Sequence, residues 1–259
     1  MQPRVLILRA AGINRDADAA RAVTMVGGQP DLVHIGRLVE GAVSLQDYAM
    51  LIVPGGFSYG DHLGAGSMLA TDLVHRLGES IRRFVEDGRA VLGICNGFQV
   101  LVKSGLLPGA SLGQRSASLT HNASGRFECR WVRLQAQPTS HCVFTQDIHN
   151  PIEVPVAHGE GRFVMQTPDE LTALHAAGQV AFCYVDEHNQ PTTAYPANPN
   201  GSALGIAGVC DASGRILGMM PHPENAVVPW QHPRWTREHR TEGDGLALFR
   251  NGIAWVAQI

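Results

Sequence analysis

Short apolar runs bounded by Gly, Pro or Asp recur through the first part of the chain: RVLIL (4–8), DLVHI (31–35), AMLIV (49–53) and RAVLGI (89–94). Runs of this length without polar alternation predict strands buried on both faces, as in a parallel sheet. Helical stretches lie between them, DADAARAVTMVGG (16–28) and LVHRLGESIRRFVEDG (73–88), the first opened by an Asp and both closed by Gly. Glycine past a helix end supplies the left-handed residue that lets the chain turn away. Strand alternating with helix predicts an open α/β sheet with crossover connections.

After residue 110 the texture changes to β-like runs of more antiparallel character: FECRWVRL (127–134), IEVPVAH (152–158) and QVAFCYVD (179–186). The stretch GIAGVCDASGRILGMMPHPE (205–224) reads as two strands joined by the turn DASG, which delivers His222 to the end of the second strand. The chain closes with GDGLALFRNGIAWVAQ (243–258), whose apolar residues recur at helical spacing. With no repeat, low-complexity stretch or linker, a single domain over 1–259 is expected: an open, mostly parallel sheet with flanking helices and added antiparallel strands in its second half.

Composition narrows the function. A chain of 259 residues can bury most of its apolar surface without staples or metals. Charged residues make up 17% and the formal net charge is -3, so no basic field exists to gather nucleic acid or an anionic membrane. The five cysteines (Cys95, Cys129, Cys142, Cys183 and Cys210) form no CxxC pair, which argues against a disulfide framework or a zinc knuckle and for a reducing cytoplasm. The opening MQPRVLILRAAGINRD reads as a first strand, its apolar run being too short for a leader or a membrane span.

Candidate chemistry centres on VLGICNGFQ (91–99), a strand, then Gly93-Ile94-Cys95-Asn96-Gly97, then a helix. This G-x-C-x-G pattern is the thiol counterpart of the nucleophile elbow, in which flanking glycines relieve crowding at a sharp strand-to-helix turn. The N-terminal N–H groups and dipole of the following helix favour a thiolate at Cys95. A free cysteine is also among the most buried residue types, and that packing role is assigned to the other four. What sets Cys95 apart is its place at the carboxyl end of a sheet strand, where open α/β sheets put their ligands.

A thiolate nucleophile needs a base and an orienter for that base. MMPHPE (219–224) offers both: Pro223 biases His222 toward extended dihedrals, and in an extended chain His222 and Glu224 point the same way. In IVPGGFSYGDH (52–62) a strand runs into Pro54-Gly55-Gly56, which leaves a backbone N–H free to point into a cleft. Together with the N–H of Asn96, the residue after the nucleophile, it makes a candidate oxyanion hole.

PGG after a strand, G-x-C-x-G-x-Q, and P-H-P-E near the C-terminus, in this order, closely resemble the class I, triad-type glutamine amidotransferases, whose fold is flavodoxin-like. Within that class PGGFSYGD (54–61), GICNGFQVL (93–101), GLLPGA (105–110), SLTHNASGRFECRWV (118–132), VAHGEGRF (156–163) and GMMPHPE (218–224) look like the glutaminase component of phosphoribosylformylglycinamidine synthase. The resemblance implies Cys95 as nucleophile toward the glutamine amide, His222 as acid/base and Glu224 as its orienter. It implies Gly56 and Asn96 as oxyanion-hole donors, Gln99 as a residue lining the substrate site, and His158 of HGEG as a neighbour of that site.

It further implies glutamine hydrolysis through a glutamyl thioester, with ammonia passed by a tunnel to a synthetase subunit that converts formylglycinamide ribonucleotide to its amidine. ATP and magnesium are expected on that partner rather than in this chain, and a small bridging subunit is a further expected partner. Two positions depart from the pattern: Asn14-Arg15-Asp16 stands where many relatives have Asn-Cys-Asp, and Asn225 follows PHPE where Arg is usual. The Trp-, His- and Arg-rich stretch 227–245 reads as an exposed or interface loop.

Two other classes compete. Twelve histidines, with the pairs His158/Glu160 and His222/Glu224, could furnish a metal-dependent hydrolase, though no HExxH spacing is present. A non-catalytic partner or thiol sensor would keep the fold without the chemistry, against which stands the filled triad.

Overall fold

The computed structural model describes residues 2–109 and 111–258. Strands β1 (Arg4–Arg9), β2 (Gln29–His34), β3 (Met50–Val53) and β4 (Ala90–Ile94) are linked by helices α1 (Asp16–Met25), α2 (Ile35–Val39), α3 (Ser67–His75) and α4 (Gly78–Glu86). Helix α5 (Asn96–Lys103) follows, then β5 (Ala117–Thr120), β6 (Glu128–Ala136), β7 (Ile152–His158), β8 (Arg162–Met165), α6 (Pro168–Ala176), β9 (Val180–Tyr184), β10 (Ile206–Cys210), β11 (Ile216–Met219) and α7 (Leu246–Val256). The central sheet has nine strands in the order β2-β1-β3-β4-β11-β10-β9-β6-β7, and β5 pairs with β8 in a separate ladder.

From β2 to β11 all neighbours are parallel, and from β11 to β7 all are antiparallel. The predicted α/β sheet with an antiparallel second half is thus the observed one. Every residue of β3, β4, β9, β10 and β11 is buried, as continuous apolar runs require. Strand β6 shows the part-exposed face of an outer antiparallel strand, and β7 alternates buried and part-buried positions along its length.

Three local expectations need correction. The run at 31–35 is not buried on both faces: β2 is an edge strand, Leu32 is exposed, and Ile35 opens α2 instead of ending the strand. His34 turns the chain there, its Nδ1 accepting the Gly36 N–H at 3.1 Å. The stretch 73–88 is not one helix, because the N–H groups of Arg76 and Leu77 both bond the Asp72 carbonyl (2.9 and 3.2 Å) and close α3. A new axis then lets α4 bury Ile81 and Phe84. The stretch PHPE is not extended: Pro223–Asn225 form a 3-10 turn closed by the Asn225 N–H on the His222 carbonyl at 3.2 Å, while the helix from 16 does open on Asp16, which pairs with Arg9 Nε at 2.7 Å.

The stretch 227–245 is a strap, not a free loop. Glu153 of β7 accepts from His232 Nε2 (2.5 Å), Arg234 Nη2 (2.8 Å) and Arg240 Nη2 (3.2 Å), and its own N–H donates to Asp244 Oδ2 (2.8 Å). His232 is buried edge-on to Trp131, while Trp230 and Trp235 stay exposed. Burial would raise the Glu153 carboxyl, but Arg234 and His232 overcome it and hold the group below its ordinary range. Among the described residues no helix is long and apolar enough to cross a membrane.

Candidate active site

Register brings the predicted groups to one edge of the sheet. Val53 of β3 pairs with Gly93 of β4, and Ile94 pairs with Met219 of β11. Gly55-Gly56, Cys95 and His222 therefore leave three adjacent parallel strands at the same carboxyl end.

Cys95 sits between β4 and α5 with φ 51 and ψ -105, a backbone conformation that L residues avoid. Its N–H donates to the Met219 carbonyl at 2.8 Å, and its carbonyl accepts the Gln99 N–H at 3.1 Å, so the strained residue is pinned from both sides. The flanking glycines are required by contact: a Cβ on Gly97 would lie 1.8 Å from the Val53 carbonyl oxygen, and one on Gly93 would lie 2.5 Å from Leu101 Cδ1. Cys95 is 6% exposed, with its Sγ 3.7 Å from the Ala157 carbonyl at the end of β7.

His222 lies three residues beyond β11, its N–H held by the Pro155 carbonyl of β7 at 2.8 Å. Its Nδ1 is 2.7 Å from Glu224 Oε1, and Glu224 is fully buried. A carboxylate accepts only, so Nδ1 carries the proton, and Nε2 is buried with no hydrogen-bond partner among the described residues. Burial alone would lower the His222 pKa, but the charges of Glu224 and Cys95 overcome it and hold the imidazole well above its ordinary 6.5. Gly55 packs against this ring, since a Cβ there would meet His222 Cε1 at 2.8 Å.

The Gly56 loop is built to leave one donor free. Gly56 (φ 142) bridges Ile13, but the bridge runs through the Phe57 N–H to Gly12 O (2.9 Å) and the Asn14 N–H to Gly55 O (3.4 Å), so it does not use the Gly56 N–H. The Asn96 N–H, first in α5, is free by helix geometry. The Asn96 side chain fixes the loop, accepting the Ser58 N–H (3.0 Å) and donating to Asp61 Oδ1 (3.2 Å) and Gln99 Oε1 (2.9 Å).

Tyr59, Gly60 and Asp61 carry consecutive positive φ angles (54, 66 and 54), and burial raises the Asp61 carboxyl above its ordinary 3.8. Gln99 is spanned between Asn96 and the Glu160 carbonyl, to which its Nε2 donates at 2.6 Å, so it ties the HGEG segment to α5. His158 is buried at the end of β7, with Nδ1 3.1 Å from Asn122 Oδ1.

Sequence reasoning passed over Asn122 and Asp61, which lie in quoted motifs but carry no local sign of their contacts. Asn198, Asn200 and Ser202 also went unread. In the structure Ser202 Oγ donates to Asn200 Oδ1 (2.7 Å) and accepts the Phe163 N–H (2.9 Å), and Asn200 Nδ2 donates to the buried Tyr184 hydroxyl (3.0 Å). The cluster of Asn, Pro, Gly and Ser at 198–202 was the available signal, since such residues bond backbone locally. Of the two departures, Arg15 lies beside Gly55 with its Nη1 on Asp18 at 3.3 Å, and Asn225 donates its N–H to the His222 carbonyl at 3.2 Å. Among the described residues no group of three or more His, Cys, Asp or Glu is placed to hold a metal ion.

Known proteins resemble this chain along nearly its whole length. Residues 2–256 match the CobB/CobQ-like glutamine amidotransferase domain. The chain is 45% identical to the phosphoribosylformylglycinamidine synthase subunit PurQ of Dehalococcoides mccartyi, covering 99% of this chain and 98% of that protein. It is likewise 45% identical to the subunit of that name from Treponema denticola, over 99% of this chain and 100% of the relative. A chain in the solved structure of PurLQS from Thermotoga maritima superposes with a TM-score of 0.75 at 32% identity, covering 98% of this chain and 99% of that one. A glutamine-amidotransferase match along nearly the whole chain, joined to full-length relatives that share one name, has one reading: the chain belongs to the PurQ family of glutamine amidotransferases.

Proposed function

We propose that Cys95, His222 and Glu224 are the catalytic triad of this glutaminase, with the Gly56 and Asn96 N–H groups as its oxyanion hole and Gln99 and His158 lining the glutamine site. The chain is the glutaminase subunit of phosphoribosylformylglycinamidine synthase, feeding ammonia to a synthetase partner in purine biosynthesis. In this reading it acts as a single domain in the cytoplasm, and the synthetase, joined by a small subunit, supplies ATP chemistry. The observation that carries the site is the His222 Nδ1 to Glu224 bond at 2.7 Å, which leaves Nε2 unpartnered at the sheet edge where the strained Cys95 turns.

The Cys95 thiolate attacks the side-chain amide carbon of glutamine, and the carbonyl electrons move to an oxyanion held by the two N–H groups. As the C–N bond breaks, the His222 imidazolium gives its Nε2 proton to the nitrogen, which leaves as ammonia. The raised His222 pKa keeps that proton available, and Glu224 keeps the ring oriented. Water then gives a proton to Nε2 and its oxygen attacks the thioester; the C–S bond breaks, releasing glutamate and restoring thiolate and imidazolium.

The test is intact-mass analysis after a diazo-ketone analogue of glutamine, on wild type and Cys95→Ala, with and without the synthetase. One adduct, absent in Cys95→Ala and faster with the partner, is expected. A wild type that stays unlabelled with the partner present overturns the triad assignment.

A further inference from the structure

His158 is the buried imidazole that the triad chemistry leaves unused. Asn122 fixes its proton. The Asn122 Nδ2 donates to two carbonyls, Arg126 O (2.9 Å) and His158 O (2.8 Å), so the atom facing the ring is the oxygen. That oxygen also accepts the Gly161 N–H at 3.1 Å, and an amide oxygen only accepts. The proton of His158 therefore sits on Nδ1, and Nε2 is a bare lone pair.

This Nε2 is buried and has no partner among the described residues. A buried acceptor left unpaired costs about 1–3 kcal/mol, so a partner that arrives with the substrate is the economical account of it. Gly161 packs against the ring, since a Cβ there would fall 2.5 Å from Cε1, so no side chain fits at 161 while the imidazole stays in place. The main chain on both sides of His158 lies against the candidate site. The residue before His158 places its carbonyl 3.7 Å from the nucleophile Sγ, and the Glu160 carbonyl two residues on holds Gln99. Burial, aided by the charge of His222, pushes His158 down to about 3, so the ring stays neutral at working pH and its Nε2 can accept a hydrogen bond without taking up the proton.

We infer that His158 Nε2, held bare by Asn122, accepts an N–H of the glutamine carboxamide nitrogen, orienting that nitrogen toward His222 and retaining the ammonia it becomes. The inference rests on the triad reading above and adds to it a second imidazole with the opposite duty. His222 donates to the leaving nitrogen, and His158 receives from it.

The experiment compares glutamine with the γ-methyl ester of glutamate, whose reacting group has no N–H, in the complex with the synthetase. His158→Phe keeps an aromatic ring and removes the acceptor. It is expected to lower kcat/KM for glutamine about 10- to 100-fold, the effect of losing one buried hydrogen bond, and for the ester by no more than about threefold. His158→Gln, whose amide oxygen can reach the place of Nε2, should recover part of the loss. Labelling of Cys95 by the diazo-ketone, whatever its rate, reports an intact triad. If His158→Phe does not label, the glutamine-to-ester ratio of His158→Gln decides in its place. Equal losses on amide and ester, or no loss on either, overturn the role of His158 while leaving the triad standing; failure of wild type to label overturns the triad instead.

Discussion

In the parallel half of the sheet Cys95 is held by backbone: an avoided φ/ψ pair of 51 and -105, one N–H on the neighbouring strand and two glycines at which no side chain fits. In the antiparallel half His158 is held by side chains, with Asn122 on its Nδ1, while Glu153 on the same strand anchors the 227–245 strap through His232, Arg234 and Arg240. The difference teaches where each kind of precision comes from. A nucleophile on a turn needs its backbone fixed, and main-chain contacts between packed parallel strands do that at short range. An imidazole needs a set proton position, and here side chains supply it, the Asn122 amide for His158 and the Glu224 carboxylate for His222.

The comparison can be broken at several depths. Cys95→Ala should abolish glutamine-dependent synthesis, a loss of about 10⁴-fold or more, while synthesis from free ammonia in the complex survives. Parallel assays with the two nitrogen donors check this. Glu224→Gln should reduce glutamine turnover by about 10²- to 10⁴-fold with little change in fold, because a buried amide no longer fixes the tautomer of His222. Steady-state kinetics beside a thermal melt separates the two effects.

Gly97→Ala tests the backbone half directly. A Cβ 1.8 Å from the Val53 carbonyl oxygen forces β3 and α5 apart, and a loss of about 3 kcal/mol or more is expected in urea unfolding. Glu153→Gln tests the side-chain half: it strips the charge shared by His232, Arg234 and Arg240, and a loss of about 2 kcal/mol is expected. If Gly97→Ala proved the milder of the two, the contrast between the halves would be wrong.

The smallest effect concerns pH. The folded pKa of His158, about 3, lies below its ordinary 6.5, so on acidification the unfolded chain takes up the proton first and folding is penalised. Stability from neutral His158 is present above pH 6.5 and is lost progressively as pH falls toward 3, with a slope approaching about 1.4 kcal/mol per pH unit. Urea midpoints at pH 7, 6 and 5 check this: wild type should lose stability on acidification more steeply than His158→Phe, and parallel lines would show that His158 is not the buried neutral group described.

Much of this was legible in the chain. Apolar runs at 49–53 and 89–94 gave β3 and β4 because a strand covered on both faces has no polar position to interrupt it. GICNG gave the elbow because its glycines answer to contacts a few residues away in sequence or across one strand. PHPE gave the two partners, His222 and Glu224, because they lie two residues apart, but it is the turn at Pro223–Asn225, not the extended chain expected, that sets Nδ1 2.7 Å from Oε1.

Tertiary structure alone decided the rest. The edge position of β2, the break between α3 and α4, the clamp on the 227–245 strap and the Asn122 lock on His158 all depend on partners far along the chain. Local spacing carries the periodicity of an element and the chemistry of a turn. It carries no record of which distant carbonyl an amide will find, because that is set by strand order and register, and these are fixed only when the sheet closes over its core.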